Sequence, residues 1–401
     1  MGAFGPLRER NFALYFTGQV TSNIGTWFQN LALQLVVLES TGSAQALSGV
    51  TVAQFLPLLV FGVAAGRLAD RMRPRTILLI TSALAAAVAA ALALVVAGDH
   101  PNLWLIYGLI AVLGTVQAFE RIAAQTIIFE LVGPAKLASA VSVSTIALAS
   151  ARSIGPGLAG LTFQALGAPT CMLLNAASFL LAGASLLLIR PSSMHPRPAR
   201  SGAAPMRSID FLRDRSISTL LIVNVVIALL ALNFGLVLTA TVDLSYDGDA
   251  SSVGAVHALN AIGAIVGGFI AAALPRVTVR SLILATSAFG AALLLNAAAP
   301  TLPLFLLAAP VLGLGIGYYQ GVLNAAAQSS APPEAIGRLM SLVTLGNYGM
   351  APFGALFMGW VIDASSGRVS LLVAGLAALA CAVFVAIRVP KGDARPSVDR
   401  T

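Results

Sequence analysis

Two apolar runs, residues 49–65 and 76–97, flank the stretch Gly66-Arg67-Leu68-Ala69-Asp70-Arg71-Met72-Arg73-Pro74-Arg75. Four arginines and an aspartate this close together cannot sit in hydrocarbon, where each charge costs roughly 2.5–3.5 kcal/mol or more. The stretch therefore reads as a polar hairpin between two membrane spans, and the rest of the chain can be ordered from it. A membrane α-helix needs ~20 apolar residues, and apolar runs recur at intervals that allow twelve. Their expected positions are 12–38, 46–65, 76–97, 103–130, 138–163, 170–189, 217–241, 253–273, 280–299, 302–328, 336–361 and 368–388. Charged residues make up only 9% of the chain and mean hydropathy is +0.90. A soluble domain carries roughly 25% charged residues, so there is too little polar surface here to cover a soluble globule. Strand-type alternation is absent, which argues against an outer-membrane barrel.

Between the sixth and seventh runs, residues 190–215 are rich in Pro, Ser and Arg and lack apolar periodicity, the pattern of a linker. The expected organisation is a six-helix bundle over 1–190, a cytoplasmic linker over 191–216, a second six-helix bundle over 217–390 and a tail over 391–401. Arg75-Thr76-Ile77-Leu78-Leu79 lines up with Arg280-Ser281-Leu282-Ile283-Leu284. Each follows the second span of its half, as a parallel duplication requires. The expected fold class is an all-α membrane protein of twelve transmembrane helices in two pseudo-symmetric six-helix bundles.

Orientation follows from charge placement. With a cytoplasmic N-terminus, twenty of the 23 Lys and Arg fall on the cytoplasmic side. They are Arg8 and Arg10; Arg67, Arg71, Arg73 and Arg75; Lys136; Arg190, Arg197, Arg200, Arg207, Arg213 and Arg215; Arg276 and Arg280; Arg338; and Arg388, Lys391, Arg395 and Arg400. Arg368 falls outside, and Arg121 and Arg152 lie within spans. By the positive-inside rule both termini and the linker are expected in the cytoplasm of a bacterial inner membrane. Basic loops facing anionic lipid account for the net charge of +8, so no nucleic-acid partner is expected. The first apolar run is longer than a signal peptide and lacks a cleavage site, so it is read as an uncleaved span. Cys171 and Cys381 both lie in spans and imply no disulfide framework.

Three motifs carry a family resemblance. Gly66-x-Leu68-Ala69-Asp70-Arg71 followed by Arg75 resembles the signature loop between the second and third spans of the major facilitator superfamily, with Arg73 where glycine is common. Arg152-x-x-Gly155-Pro156-x-x-Ala159-Gly160 resembles the antiporter motif associated with that superfamily's exporters. Arg10-Asn11-Phe12-x-Leu14-Tyr15-Phe16-x-Gly18-Gln19, with Ser22-x-Ile24-Gly25-Thr26-Trp27-x-Gln29 and Glu130-Leu131-Val132, is similar to the branch of enterobactin exporters and macrolide efflux pumps. The resemblance is strongest over residues 8–190. It implies a twelve-helix monomer that exports small molecules against a proton gradient.

Neither lysine, Lys136 or Lys391, sits in a phosphate-cradling Gly-Lys-Ser/Thr sequence, so ATP hydrolysis by that route is excluded and an ion gradient is the expected energy source. His100, His195 and His257 are scattered, with no metal-ligand or nucleophile-elbow spacing; no enzyme activity and no cofactor are expected. Ionisable residues inside spans usually face a cavity or a partner. Glu120 and Arg152 fall at depths one helical turn apart, which allows a Glu120–Arg152 pair; the two are proton-coupling candidates, read either as a structural ion pair or with Glu120 exchanging protons. Arg121 or Arg152 would then attract an anionic substrate. Gln19, Asn23, Asn30 and Gln34 share one face of the first span. Gln117, Arg121 and Gln125 in the fourth, and Gln320, Asn324 and Gln328 in the tenth, repeat every four residues. Amides are costly in lipid, and aligned rows of them point to a water-filled cavity. Trp27, Phe28, Tyr318 and Tyr319 fit either stacking on a flat substrate or packing. Asp243, Asp247 and Asp249 are expected to be solvated. Asp70 adds nothing to orientation, so Gly66, Asp70, Arg71 and Arg75 are read as a conformational latch in which Asp70 caps the N-terminus of the eleventh span. Gly155, Pro156 and Gly160 would bend or thin the fifth span.

These readings converge on a proton-coupled exporter of a drug-like compound or siderophore working by alternating access. An uptake permease of the same fold and a non-transporting receptor or scaffold are the alternatives.

Overall fold

A computed structural model of the chain describes residues 5–98, 100–196, 214–275, 277–330 and 333–389. The described residues are almost wholly helical. They comprise α1 (Arg10–Thr41), α2 (Ala44–Arg71) and α3 (Pro74–Val96), then one continuous helical stretch, Leu103–Leu187, interrupted twice. Gly133 (φ 68°) and Gly167 (φ 76°) adopt left-handed backbone there, a region open to glycine at little cost. Pro134 and Pro169 follow them. These breaks divide the stretch into α4 (103–132), α5 (134–166) and α6 (168–187). The second half contains α7 (Arg215–Ser245), α8 (Ala250–Ala272), α9 (Val279–Ala297), α10 (Leu302–Ser330), α11 (333–364) and α12 (Gly367–Arg388). Two of these are interrupted, α7 at 231–233 and α11 at Met350.

Helix ends are set by local side chains. Ser43 accepts from Ala46 N at 3.1 Å, Asn102 from Leu105 N at 3.1 Å, and Asp214 from Ser216 N and Ile217 N at 2.8 and 2.9 Å. Each satisfies an amide that the first turn leaves unpaired. Among the described residues nine stretches are long and apolar enough to cross a bilayer. One of them, Ser139–Leu187, holds both α5 and α6; α1 falls short through its amides and α11 through its interruption. Large apolar side chains face outward, among them Leu94, Trp104, Leu180, Phe269, Leu307 and Ile387. Lipid covers such a surface, while small residues at helix contacts let backbones approach.

The chain divides into two compact units: residues 1–202 with 248–258, and residues 203–247 with 259–401. In the first, Phe12 and Tyr15 of α1, Ile77 and Leu78 of α3, Ile127 and Leu131 of α4 and Leu186 of α6 form a buried core near the arginine-rich hairpin. Arg75 donates to Leu186 O at 2.9 Å and Leu187 O at 3.1 Å. It thus caps the carbonyl end of α6, where a cation is favoured. In the second unit α8 and α10 meet backbone to backbone. A Cβ on Gly263 would meet Pro310 O, one on Gly267 Leu314 O, one on Gly313 Asn260 O and one on Gly317 Ala264 O.

Candidate functional site

On α1, Gln19, Asn23, Asn30 and Gln34 are all half-buried and span an arc of about 60° at 100° per residue. Asn23 donates to Gln19 O of its own helix at 2.8 Å. A flank of α1, about 110° round the helix from the centre of that arc, carries a second polar group. Gln29 is 1% exposed and accepts from Asn175 Nδ2 of α6 at 2.8 Å, and Ser178 donates to Asn175 O and Oδ1 at 2.8 and 3.0 Å. One amide face of α1 is therefore closed off by α6, while the Gln19–Gln34 face keeps partial exposure.

On α4, Glu120 and Gln117 are half-buried and Arg121 and Gln125 are exposed. Arg121 is the charge that acts on Glu120, and Glu120 in turn acts on Tyr15 of α1. Tyr15 donates to Ala124 O at 3.3 Å. The structure thus brings Tyr15, Glu120 and Arg121 together. It does not bring Glu120 to Arg152: no ion pair joins these two described residues, and Arg152 is exposed. Spacing along a helix leaves the rotation of each helix about its axis undetermined.

The small residues of α5 serve as contact surfaces. A Cβ at Gly155 would meet the Trp27 ring of α1 at 2.8 Å. Gly160 lies against Ala250 O and Gly254, and Pro156 O lies 2.7 Å from a Cβ built on Gly254. Residues 248–258 belong to the first unit, so Gly155 and Gly160 seat α1 and the first turns of α8. Trp27 is a packing residue. The Tyr319 ring is fully buried and stacked on Phe289 with centroids 5.8 Å apart. At the hairpin, a Cβ on Gly66 would meet nothing within 4 Å and Arg71 is exposed. The Asp70 and Glu334 side chains lie outside the described residues.

In the second unit Gln320 and Asn324 are half-buried and Gln328 is exposed. Buried polar atoms without a hydrogen-bond partner include Asn260 Nδ2, Tyr319 Oη and Asn347 Oδ1. A buried unpaired polar atom is uncommon in a finished core, so these groups on α8, α10 and α11 join the candidate set. Their sequence signal is an amide or phenol in an otherwise apolar run.

Asp249 is exposed, as expected, and also caps the start of α8. Its Oδ1 accepts from Ser252 N, Ser252 Oγ and Ser251 Oγ at 2.9, 2.7 and 2.9 Å, and its Oδ2 from Gln164 Nε2 at 3.0 Å. These donors, Ser252 foremost, hold its carboxyl at about 2, below the ordinary 3.8. Arg368 is also tied down. It donates to Tyr246 Oη at 3.2 Å and to Ala299 O, with its guanidinium 5.2 Å from the Tyr246 ring centroid.

Over residues 1–401 the chain matches MFS_3, a family described as transmembrane secretion effectors. The chain belongs to this family. As an MFS_3 protein it is a major facilitator transporter, not an enzyme. It is 26% identical to the multidrug efflux pump Tap of Mycolicibacterium fortuitum, over 93% of this chain and 94% of that one. It is 23% identical to macrolide efflux protein A of Streptococcus pyogenes, over 82% and 84%. Among solved structures, a bacterial homologue of the iron transporter ferroportin in its inward-facing state is similar at a TM-score of 0.73. That match has 16% identity and covers 94% and 98% of the two chains; it speaks for the fold alone. The MFS_3 assignment gives the helical segments described above their context.

Proposed function

We propose that this transporter exports drug-like small molecules by proton antiport with alternating access. It would work as a monomer in the bacterial inner membrane, with both termini in the cytoplasm. The observation that carries the reading is similarity along nearly the whole chain to proteins named as multidrug and macrolide efflux pumps. In this reading Gln19, Asn23, Asn30, Gln34 and Gln117 line the substrate path in the first unit, and Gln320 and Asn324 in the second. Glu120 carries the proton, because it is a half-buried carboxylate whose acting charge is Arg121 rather than a fixed partner on another helix. Gly66, Asp70, Arg71 and Arg75 govern the conformational step. The two states need differ by only a few kcal/mol for both to be populated. The relatives' names favour a macrolide or similar drug over a siderophore as first substrate to test.

The test is erythromycin susceptibility of an efflux-deficient host expressing the wild-type chain, E120Q or empty vector at matched membrane levels. Protection by the wild type that is lost in E120Q supports the reading. Equal protection by both removes Glu120 from the mechanism, and no protection across a panel of drug classes removes the drug-export reading.

A further inference from the structure

At the arginine-rich end of the first unit a surface cleft of about 210 Å³ opens between the start of α1, the end of α4 and the segment after α6. Glu9, Arg10, Asn11, Leu131, Arg190 and Ser193 line it. Drug-sized pockets run to ~300–1,000 Å³, so the cleft is too small for a transported drug. It suits a compact polar group.

Several acceptors that could neutralise its arginines are engaged elsewhere. Glu9 would be the natural partner of Arg10, but its carboxylate pairs with Lys136. The carbonyls ending α6 would be natural partners of Arg190, but Arg75 takes those of Leu186 and Leu187. Arg190 O itself accepts from Asn11 Nδ2 at 3.0 Å and from Ser193 Oγ at 3.1 Å. The guanidinium groups of Arg10 and Arg190, both described and both exposed, have no hydrogen bond or ion pair. Both residues line the cleft, whose floor is hydrogen-bonded. Asn11, 6% exposed, donates to Arg190 O and Ser193 Oγ and accepts from Arg190 N at 3.0 Å. Leu131, 1% exposed, packs beneath.

We infer that this cleft binds a phosphate-bearing anion between Arg10 and Arg190, supplied as the headgroup of an acidic phospholipid or as a free phosphate. Guanidinium forks match phosphate oxygens in pairs. The cleft lies at the ends of membrane-spanning helices, the level at which headgroups sit. Asn11 and Ser193 fix the backbone of Arg190 and leave the guanidinium groups as the donors. The site is separate from the α1 and α4 amide faces and does not depend on the transport reading.

The experiment uses the purified full chain in mild detergent, delipidated and offered phosphatidylglycerol or phosphatidylcholine, with bound lipid counted by native mass spectrometry. A parallel arm measures thermal shift with inorganic phosphate against chloride at equal ionic strength. Size-exclusion elution checks that each variant folds. The wild type is expected to retain phosphatidylglycerol in preference to phosphatidylcholine. R10Q and R190Q should each cost about tenfold in that preference, the worth of one charge-assisted contact. R10K/R190K keeps the charges but not the forks and should fall between, whereas R280Q in the other unit should match wild type. Lipid retention that depends on both arginines, with no phosphate shift, assigns the headgroup. A phosphate shift that depends on both, with no lipid preference, assigns a free phosphate. Responses in R10Q/R190Q that equal wild type in both arms overturn the proposal, as does a response lost equally in R280Q.

Discussion

Arg75 and Arg280 occupy the same place in the two halves, directly after the second helix of each unit, yet do different work. Arg75 is half-buried and caps the carbonyl end of α6. Arg280 is exposed and makes no hydrogen bond or ion pair, and its turn is held by a Thr278–Ser281 capping box instead. Glycine contacts are of two kinds. Gly18 of α1 in the first unit faces the Ser185 hydroxyl of α6, a side chain that can rotate away. Four glycines of α8 and α10 in the second meet main-chain oxygens, which cannot, as do Gly114 and Gly160 in the first. At the matched sequence positions of Arg75 and Arg280 the two units therefore use different contacts.

The largest expected effect separates the two seams. Gly313→Leu would drive a side chain into Asn260 O of α8, overpacking at or beyond the upper end of ~1–3 kcal/mol. It should abolish the folded size-exclusion peak, whereas Gly18→Ala should shift the melting temperature slightly. A Gly313→Leu protein that elutes and melts like wild type would break the seam comparison. Next is Asn175→Ala, which leaves the buried Gln29 amide without its donor and should cost about 1–2 kcal/mol. Thermal melts should show that drop for Asn175→Ala and almost none for Gln125→Ala on an exposed face.

How far the sequence alone reaches is visible in these same residues. The spans were legible because lipid demands long apolar runs, and Gly133 and Gly167 mark their breaks by glycine with proline close behind. The α1 stripe was legible because helical periodicity is local. The Gln29–Asn175 pair was not, since its partners stand 146 residues apart and nothing local joins them. The Glu120–Arg152 pairing failed for a related reason, because distance along an axis says nothing about the direction a side chain points. The capping role of Asp249 was missed because a carboxylate near a helix start looks solvated until Ser251, Ser252 and Gln164 are seen to donate to it.

Smaller effects sharpen the comparison further. Arg75→Gln removes a cation from the α6 carbonyl end and should destabilise by ~0.3–1 kcal/mol, against no change for Arg280→Gln in the same melt. Equal losses would mean that the two arginines act alike. The smallest effect concerns pH. The Asp249 carboxyl titrates at about 2 in the folded chain against 3.8 ordinarily. Its stabilisation is therefore complete above about pH 4 and is lost as pH falls toward 2. Asp249→Asn should flatten that part of the melting-temperature profile and leave the profile near neutrality almost unchanged. An identical acid limb in both proteins would remove Asp249 from the account.

The central claim, that the first unit's amide face and Glu120 couple drug export to protons, is tested most directly in proteoliposomes. Purified protein is reconstituted with a pH-sensitive dye inside, and erythromycin is added under an imposed pH gradient. The account predicts proton movement that requires the drug and disappears in E120Q. Drug movement that is indifferent to the pH gradient, or proton movement unchanged in E120Q, would contradict it.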